Sequence, residues 1–166
     1  MLMRKLFALI AFVTLCAAFG ASAGRAGEEE KPVKVEYRFT PPAPREQGDA
    51  EVAAKSNGCY SCHTRTDQPS MHATPAVKLG CTDCHGGDST SSAAFGKPEL
   101  GYKHPDNIAA MKAAHPQPTY PKSWGDTSAN PVRSYTLLNR EAPEFIRFVN
   151  PSDYRVAREA CGACHL

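Results

Sequence analysis

The sequence predicts a mostly irregular fold with short α-helices and one short N-terminal β-strand. The 166 residues include 14 prolines and 12 glycines, which interrupt regular structure along most of the chain. Segments bounded by helix start and stop signals are brief, and one stretch near the N-terminus alternates between apolar and charged side chains. Little regular structure is left from which the polypeptide could build a core of its own.

The N-terminus has the pattern of a secretory signal peptide. A basic pair at 4–5 precedes an apolar run from Leu6 to about Phe19, and residues 21–23 (ASA) fit a cleavage site. The run has about 14 residues, whereas a membrane-spanning helix needs roughly 20. Residues 1–23 are therefore predicted to be removed on export, and the mature chain is expected in the periplasm or outside the cell.

Residues 24–48 form an extended, charged and proline-rich segment. Within it, residues 33–39 (VKVEYRF) alternate between apolar and charged side chains, which is the period-two pattern of a strand. A single strand is not stable by itself. Residues 135–138 (YTLL) are one candidate partner, and a surface outside this chain is the other.

Four short helices are predicted from start and stop signals. They are Asp49 to about Asn57, Asp106–Ala114, Pro143–Val149 and Ser152–Ala160. Asp106 and Ser152 are the expected N-caps of the second and fourth, and Pro116 ends the second. The first and fourth lead into cysteine motifs.

The pattern Cys-x-x-Cys-His occurs three times, at residues 59–63, 81–85 and 161–165. It is the attachment signature of a covalent c-type haem. Two thiols about one helical turn apart can meet the two vinyl groups of one porphyrin, while the adjacent imidazole binds the iron. The predicted attachment residues are Cys59, Cys62, Cys81, Cys84, Cys161 and Cys164.

The remaining cysteine usage supports this interpretation. Of the seven cysteines, Cys16 lies in the signal peptide and the other six belong to the motifs, so none is left for a structural disulfide. The main alternative is zinc, because the first four motif cysteines also have the spacing of a four-thiolate zinc site. Zinc would leave Cys161 and Cys164 without a partner pair and would not require a histidine after each motif.

The histidine count matches three haems with two axial histidines each. Of the six histidines, His63, His85 and His165 end the motifs. The other three are the candidate distal ligands His72, His104 and His115. His72 lies on the linker between the first two motifs, and the other two bracket the predicted helix 106–114. The sequence leaves their pairing with the haems open.

Methionine is the competing axial ligand and would raise the reduction potential of its haem. Met111 lies on the predicted helix four residues before His115, where packing is the commoner role of a methionine. We therefore expect all-histidine ligation and low potentials.

The spacing of the motifs predicts a di-haem module at 49–115, followed by a linker and the third motif at 116–166. The third motif reaches the penultimate residue. We therefore expect that another subunit caps it or that the chain is the N-terminal part of a longer cytochrome, unless the predicted helix through Ala160 is sufficient to hold it. Without the signal peptide, 17 of the 19 basic residues remain and balance the 17 acidic ones. No basic stripe indicates nucleic-acid binding.

These motifs, the histidine count and the export signal resemble those of multihaem c-type cytochromes. That class includes class III and triheme cytochromes and the large secreted cytochromes of metal-respiring bacteria. The resemblance implies a fold organised by haem packing and electron transfer outside the cytoplasm by low-potential bis-histidine haems. It also implies redox partner proteins or other multihaem cytochromes, with an extracellular or membrane-associated electron acceptor.

The chain is predicted to be an electron carrier, alone or within an oxidoreductase complex, and no residue is predicted to be catalytic. It has no nucleophile–base constellation and no Gly-rich phosphate loop. The alternative is a haem oxidoreductase subunit of the nitrite or hydroxylamine type, in which one iron has an open site. Three complete motifs and a distal histidine for each weigh against it.

Chain made without haem attachment is expected to be largely unfolded, because a small domain with little apolar surface depends on its cofactors for a core. The measurement is far-UV circular dichroism of the haem-free mature chain during thermal unfolding, with the haem-loaded protein as control. A cooperative transition in the haem-free chain would contradict this expectation.

Overall fold

The elements that position the motifs are short helices joined by irregular chain. A computed structural model describes residues 29–63, 72, 74–91, 97–101, 103–124 and 135–165. The helices described are α1 (Asp49–Ala54), α2 (Asn57–Tyr60), α3 (Cys81–His85), α4 (Pro105–Ala114), α5 (Pro121–Trp124), α6 (Tyr135–Leu138), α7 (Pro143–Val149) and α8 (Ala157–His165), with a 3₁₀ turn at Pro98–Leu100. The described part of the chain contains no strand.

The chain divides into two units, Met1–Glu30 and Lys31–Leu166, and every described helix belongs to the second. The predicted signal peptide, 1–23, lies outside the described residues, and its removal stays a prediction. So does the boundary between the predicted modules 49–115 and 116–166. Among the described helices, none has the length and apolar composition needed to cross a membrane.

The predicted fold class, mostly irregular with short helices, is confirmed. The prediction of an N-terminal strand is wrong. Residues 33–39 run extended, but their hydrogen bonds go singly to a loop instead of forming a ladder. Val33 N donates to Thr119 O at 2.9 Å and Tyr37 Oη donates to Gln117 O at 2.8 Å. The candidate partner 135–138 is helix α6, so this segment does not supply a pairing strand.

Proline and capping chemistry explain where α4 begins and ends. The predicted helix Asp106–Ala114 is present one residue longer, as Pro105–Ala114, because proline is preorganised for the first helical position. The predicted N-cap is wrong: His104 is the N-cap, and its Nδ1 accepts a hydrogen bond from Asp106 N. His115 is the C-cap, so the two histidines bracket this helix as expected.

The other helix predictions differ in accuracy. Pro143–Val149 is present with the predicted bounds. The segment predicted from Asp49 to about Asn57 breaks into α1 and α2 at Lys55 and Ser56. The last helix begins at Ala157 instead of Ser152, because Asp153 organises the preceding turn by accepting hydrogen bonds from Arg155.

The described hydrophobic core is small and lies in the C-terminal part of the chain. Its buried residues are Leu138, Phe145, Ile146 and Val156, with Tyr37, Trp124 and Val149 packed against them. The Trp124 and Phe145 rings meet edge to face at 5.2 Å. Glu141 joins this core to the loop before α5, because its carboxylate accepts hydrogen bonds from Thr119 N and Trp124 Nε1.

The N-terminal strap, residues 33–45, ties these parts together. Its residue Ala43 is buried and donates its N–H to Glu159 O of α8 at 2.9 Å. Arg45 Nε donates to Ala163 O, inside the third motif, at 3.0 Å. Arg38 pairs with Asp88, just after the second motif. The segment that the sequence predicts to be extended is therefore bound to the rest of the unit at several points along its length.

Replacing Phe145 by alanine is expected to destabilise the haem-loaded protein by about 3 to 5 kcal/mol, the cost of a cavity at a buried aromatic residue. Phe145 is 4% exposed, whereas Phe39 is 82% exposed. Phe39→Ala is therefore the matched control and should change stability by less than about 0.5 kcal/mol. Guanidinium unfolding followed by far-UV circular dichroism measures both, and equal losses would contradict the assigned core.

Candidate haem-attachment sites and their histidines

Each predicted attachment motif lies on or beside a short helix, which places its two cysteines about one turn apart. The first motif begins in α2, the second is the whole of α3, and the third is the C-terminal end of α8. All six cysteines are free thiols, and Cys62 and Cys164 are exposed. The thiol arrangement is therefore compatible with attachment to three separate groups.

The second motif lies between the other two. The Cys59 thiol hydrogen-bonds Cys81, which lowers the pKa of Cys81 to about 6 and raises the pKa of Cys59. At the other end of α3, burial raises the pKa of Cys84, and electrostatic interaction with the nearby Cys161 adds to this effect. Each cysteine of the second motif thus has a neighbour from a different motif, and α3 also packs against α8.

Two candidate distal histidines face motif histidines. The ring centroids of His63 and His115 lie 6.1 Å apart, and those of His165 and His72 lie 6.0 Å apart. Imidazole nitrogen binds first-row metals at about 2 Å and lies about 1 Å from its ring centroid, so two imidazoles on one iron have centroids about 6 Å apart. Both pairs therefore leave the gap that an axially ligated haem iron requires.

His115 has the surroundings of an axial ligand. Its ring packs on Phe148 at 4.7 Å between centroids, and its buried Nδ1 has no hydrogen-bond partner. Burial, aided by the charge of His63, lowers the pKa of His115 to about 4. The imidazole is therefore neutral at physiological pH and keeps a lone pair for a metal.

The histidine of the second motif is oriented by a backbone carbonyl. His85 Nδ1 lies 2.8 Å from Phe148 O. A metal-binding histidine commonly donates its second ring N–H to a carbonyl, which fixes the ring and its tautomer. With the proton on Nδ1, the lone pair of His85 Nε2 is available to an iron.

His104 is placed differently from the other two candidate distal ligands. Its Nδ1 accepts the N-cap hydrogen bond of α4 from Asp106 N at 3.3 Å. Among the described ring contacts, none joins His104 to His85. The structure thus brings four of the six predicted axial histidines into facing pairs and leaves His85 and His104 apart.

A buried arginine that sequence reasoning missed holds the second motif in place. Arg147 of α7 is 5% exposed. Its guanidinium donates to Asp83 O at 2.6 Å and Cys84 O at 3.1 Å, and also to Thr40 O and Pro41 O of the N-terminal strap. Burial lowers the pKa of Arg147, and these four carbonyl oxygens replace the water that the charge has lost.

Asp83, which lies between the two cysteines of α3, was also missed. Its buried carboxylate pairs with Lys55 Nζ at 2.7 Å and accepts hydrogen bonds from Gln47 Nε2 at 2.5 Å and Gly80 N at 2.7 Å. The last bond closes the N-terminus of α3. A Cβ at Gly80 would lie 2.5 Å from Lys55 Cβ, so only glycine permits this approach of the two segments.

The sequence contained a weak signal for these two residues. One is an aspartate within a cysteine motif, and the other is an arginine inside the apolar run 143–149 (PEFIRFV). Both are charged residues at positions that favour apolar or small side chains. A charge in such a place is paired or hydrogen-bonded when it is buried. Which partners it finds depends on long-range contacts.

The zinc alternative predicts thiolates grouped around one metal ion. Within the described ranges, which include all six motif cysteines, no three His, Cys, Asp or Glu side chains are grouped so that they could hold a metal ion. A four-thiolate site needs four sulfur atoms around one point. The two facing histidine pairs instead place two imidazole rings 6.1 and 6.0 Å apart, measured between centroids, a separation compatible with two imidazoles bound to one iron.

Comparison with known proteins gives no family assignment. No family model matches the chain, and no curated protein and no solved structure is significantly similar to it.

Replacing Arg147 by methionine is expected to destabilise the haem-loaded protein by about 3 kcal/mol, because buried carbonyl oxygens lose their donors. Arg147→Lys should recover less than half of that loss, since one ammonium cannot reach four carbonyls at once. Arg158 is exposed on α8, so Arg158→Met is the control with little effect. The measurement is guanidinium unfolding, and wild-type stability in Arg147→Met would contradict the assigned role.

Proposed function

We propose that the mature chain is an exported electron carrier that holds three covalent c-type haems. The observation that carries this proposal is the coincidence of two independent features. Three Cys-x-x-Cys-His motifs lie on short helices with free thiols, and two of their histidines face a second imidazole across 6.1 and 6.0 Å. Both separations match the distance of about 6 Å expected between two imidazoles bound to one iron.

The proposed ligand sets follow from the facing pairs. Cys59 and Cys62 attach the first haem, with His63 and His115 as its axial ligands. Cys161 and Cys164 attach the third haem, with His165 and His72 as axial ligands. The second haem is attached at Cys81 and Cys84, with His85 on one side of its iron. Histidine ligation on both sides favours a low reduction potential.

The haems supply the electron-carrying chemistry when bound, and the polypeptide sets their order. Cys81 adjoins Cys59, and Cys84 adjoins Cys161. The attachment points of the second motif therefore lie next to those of both other motifs. Electrons would enter at one terminal haem, pass the central second haem and leave at the other terminal haem.

The proposed partners are other redox proteins. Arg4 and Lys5 precede the apolar run of the predicted signal peptide, which supports export to the periplasm or the extracellular space. There it would exchange electrons with redox partner proteins or other multihaem cytochromes, and with an extracellular or membrane-associated acceptor. The near balance of charges in the mature chain supports protein partners over nucleic acid.

Protein matured in a periplasm that contains haem-attachment machinery is expected to carry three haems. Intact-mass analysis and the pyridine haemochrome spectrum of the same sample measure this. The double variant Cys161→Ser with Cys164→Ser should carry two haems, because one pair of attachment thiols is lost. Cys16→Ser is the control and should carry three, since Cys16 lies outside every motif. Zinc or bare thiols in the wild-type protein would overturn the proposed function.

A further inference from the structure

The second motif has a histidine ready for iron but no second histidine facing it. His85 is exposed, and its Nδ1 is held by Phe148 O, which leaves Nε2 for a metal. Two of the candidate distal histidines lie beside the other motifs: His115 faces His63, and His72 faces His165. His104 is the one candidate distal histidine left for the second motif.

His104 uses its ring nitrogen in another bond. To accept the N–H of Asp106, Nδ1 must present its lone pair, so the neutral ring carries its proton on Nε2. A protonated nitrogen cannot bind a metal, and binding through Nδ1 would break the cap. The cap and iron ligation therefore exclude one another for this imidazole.

The surrounding loop fixes His104 in the capping position. Buried Asn107 accepts a hydrogen bond from Lys97 N, and its amide donates to Lys97 O at 2.7 Å and Gly101 O at 2.8 Å. Lys97 Nζ pairs with Asp106 at 2.9 Å, and His104 N donates to Gly101 O. These bonds tie residues 97–101 to the first turn of α4 and hold His104 at that end.

The two ends of α4 are far apart. Its ten residues give it a length of about 15 Å. His115, at the C-terminal end, packs on the ring of Phe148, and the carbonyl of the same Phe148 binds His85. His85 therefore lies near the C-terminal end of α4, whereas His104 lies at the opposite end.

From these contacts we infer that His104 caps α4 and is not an axial ligand, although the sequence predicts it to be one. The second haem site then has His85 as its one axial histidine, and its other side can bind a small uncharged diatomic ligand from solution. This inference rests on the proposed function and adds a ligand-binding site to it.

The test is a carbon monoxide titration of the dithionite-reduced, haem-loaded protein, followed by the Soret absorption band. We expect one carbon monoxide per three haems. His104→Asn, which keeps a side chain able to cap α4, should bind the same amount. His115→Ala and His72→Ala each remove a facing ligand and should each raise the stoichiometry to two.

Opposite results would overturn the inference. If the wild-type protein binds no carbon monoxide and His104→Asn binds one, then His104 is the missing axial ligand. If neither binds any, another side chain, such as Met111, occupies the position and the site is closed. The haemochrome spectrum separates these outcomes from failure of the proposed function: fewer than three haems defeats the function itself, whereas three haems with no carbon monoxide binding defeats only this inference.

Discussion

The arrangement of the motifs depends on the buried guanidinium of Arg147. Its five N–H donors reach carbonyl oxygens from two segments that are remote in sequence, Thr40 and Pro41 in the N-terminal strap and Asp83 and Cys84 in α3. No apolar side chain could satisfy four carbonyls at one point. The same strap continues to α8, where Ala43 and Arg45 bond the chain around the third motif. One cation on α7 thus joins the second motif to the strap, and the strap joins both to the third motif.

Helix boundaries that depend on neighbouring residues could be predicted from the sequence, whereas contacts between distant segments could not. Helix Pro143–Val149 and the end of α4 at Ala114 follow from proline and capping signals within a few residues. The prediction of a strand at 33–39 failed because apolar alternation does not specify which backbone segment lies alongside, and Phe39 of this alternation is in fact exposed. Pairing of His63 with His115 and of His165 with His72 could not be derived either, because each pair joins segments that are distant in the sequence.

Charged residues show the same limit. Arg147 and Asp83 are buried, and each has several hydrogen-bond partners, most of them distant in the sequence. Composition alone could mark them as unusual but could not supply Lys55 or Thr40 as their partners. The described core of Leu138, Phe145, Ile146 and Val156 lies in the region that the sequence presents as linker and third motif. Four buried side chains are few for a unit of this length, which agrees with the shortage of apolar surface read from the sequence.

Phe148 contacts two of the predicted axial histidines through different parts of the same residue. Its carbonyl oxygen binds the ring of His85, and its phenyl ring packs on His115. A backbone contact survives a change of side chain, whereas a ring contact does not. Substitution at this one position therefore separates two neighbouring imidazoles: it alters the packing of His115 while the orientation of His85 is kept. In the proposed ligand assignment, such a change is expected to alter the spectrum of the first haem and to leave that of the second unchanged, so the two overlapping signals could be told apart.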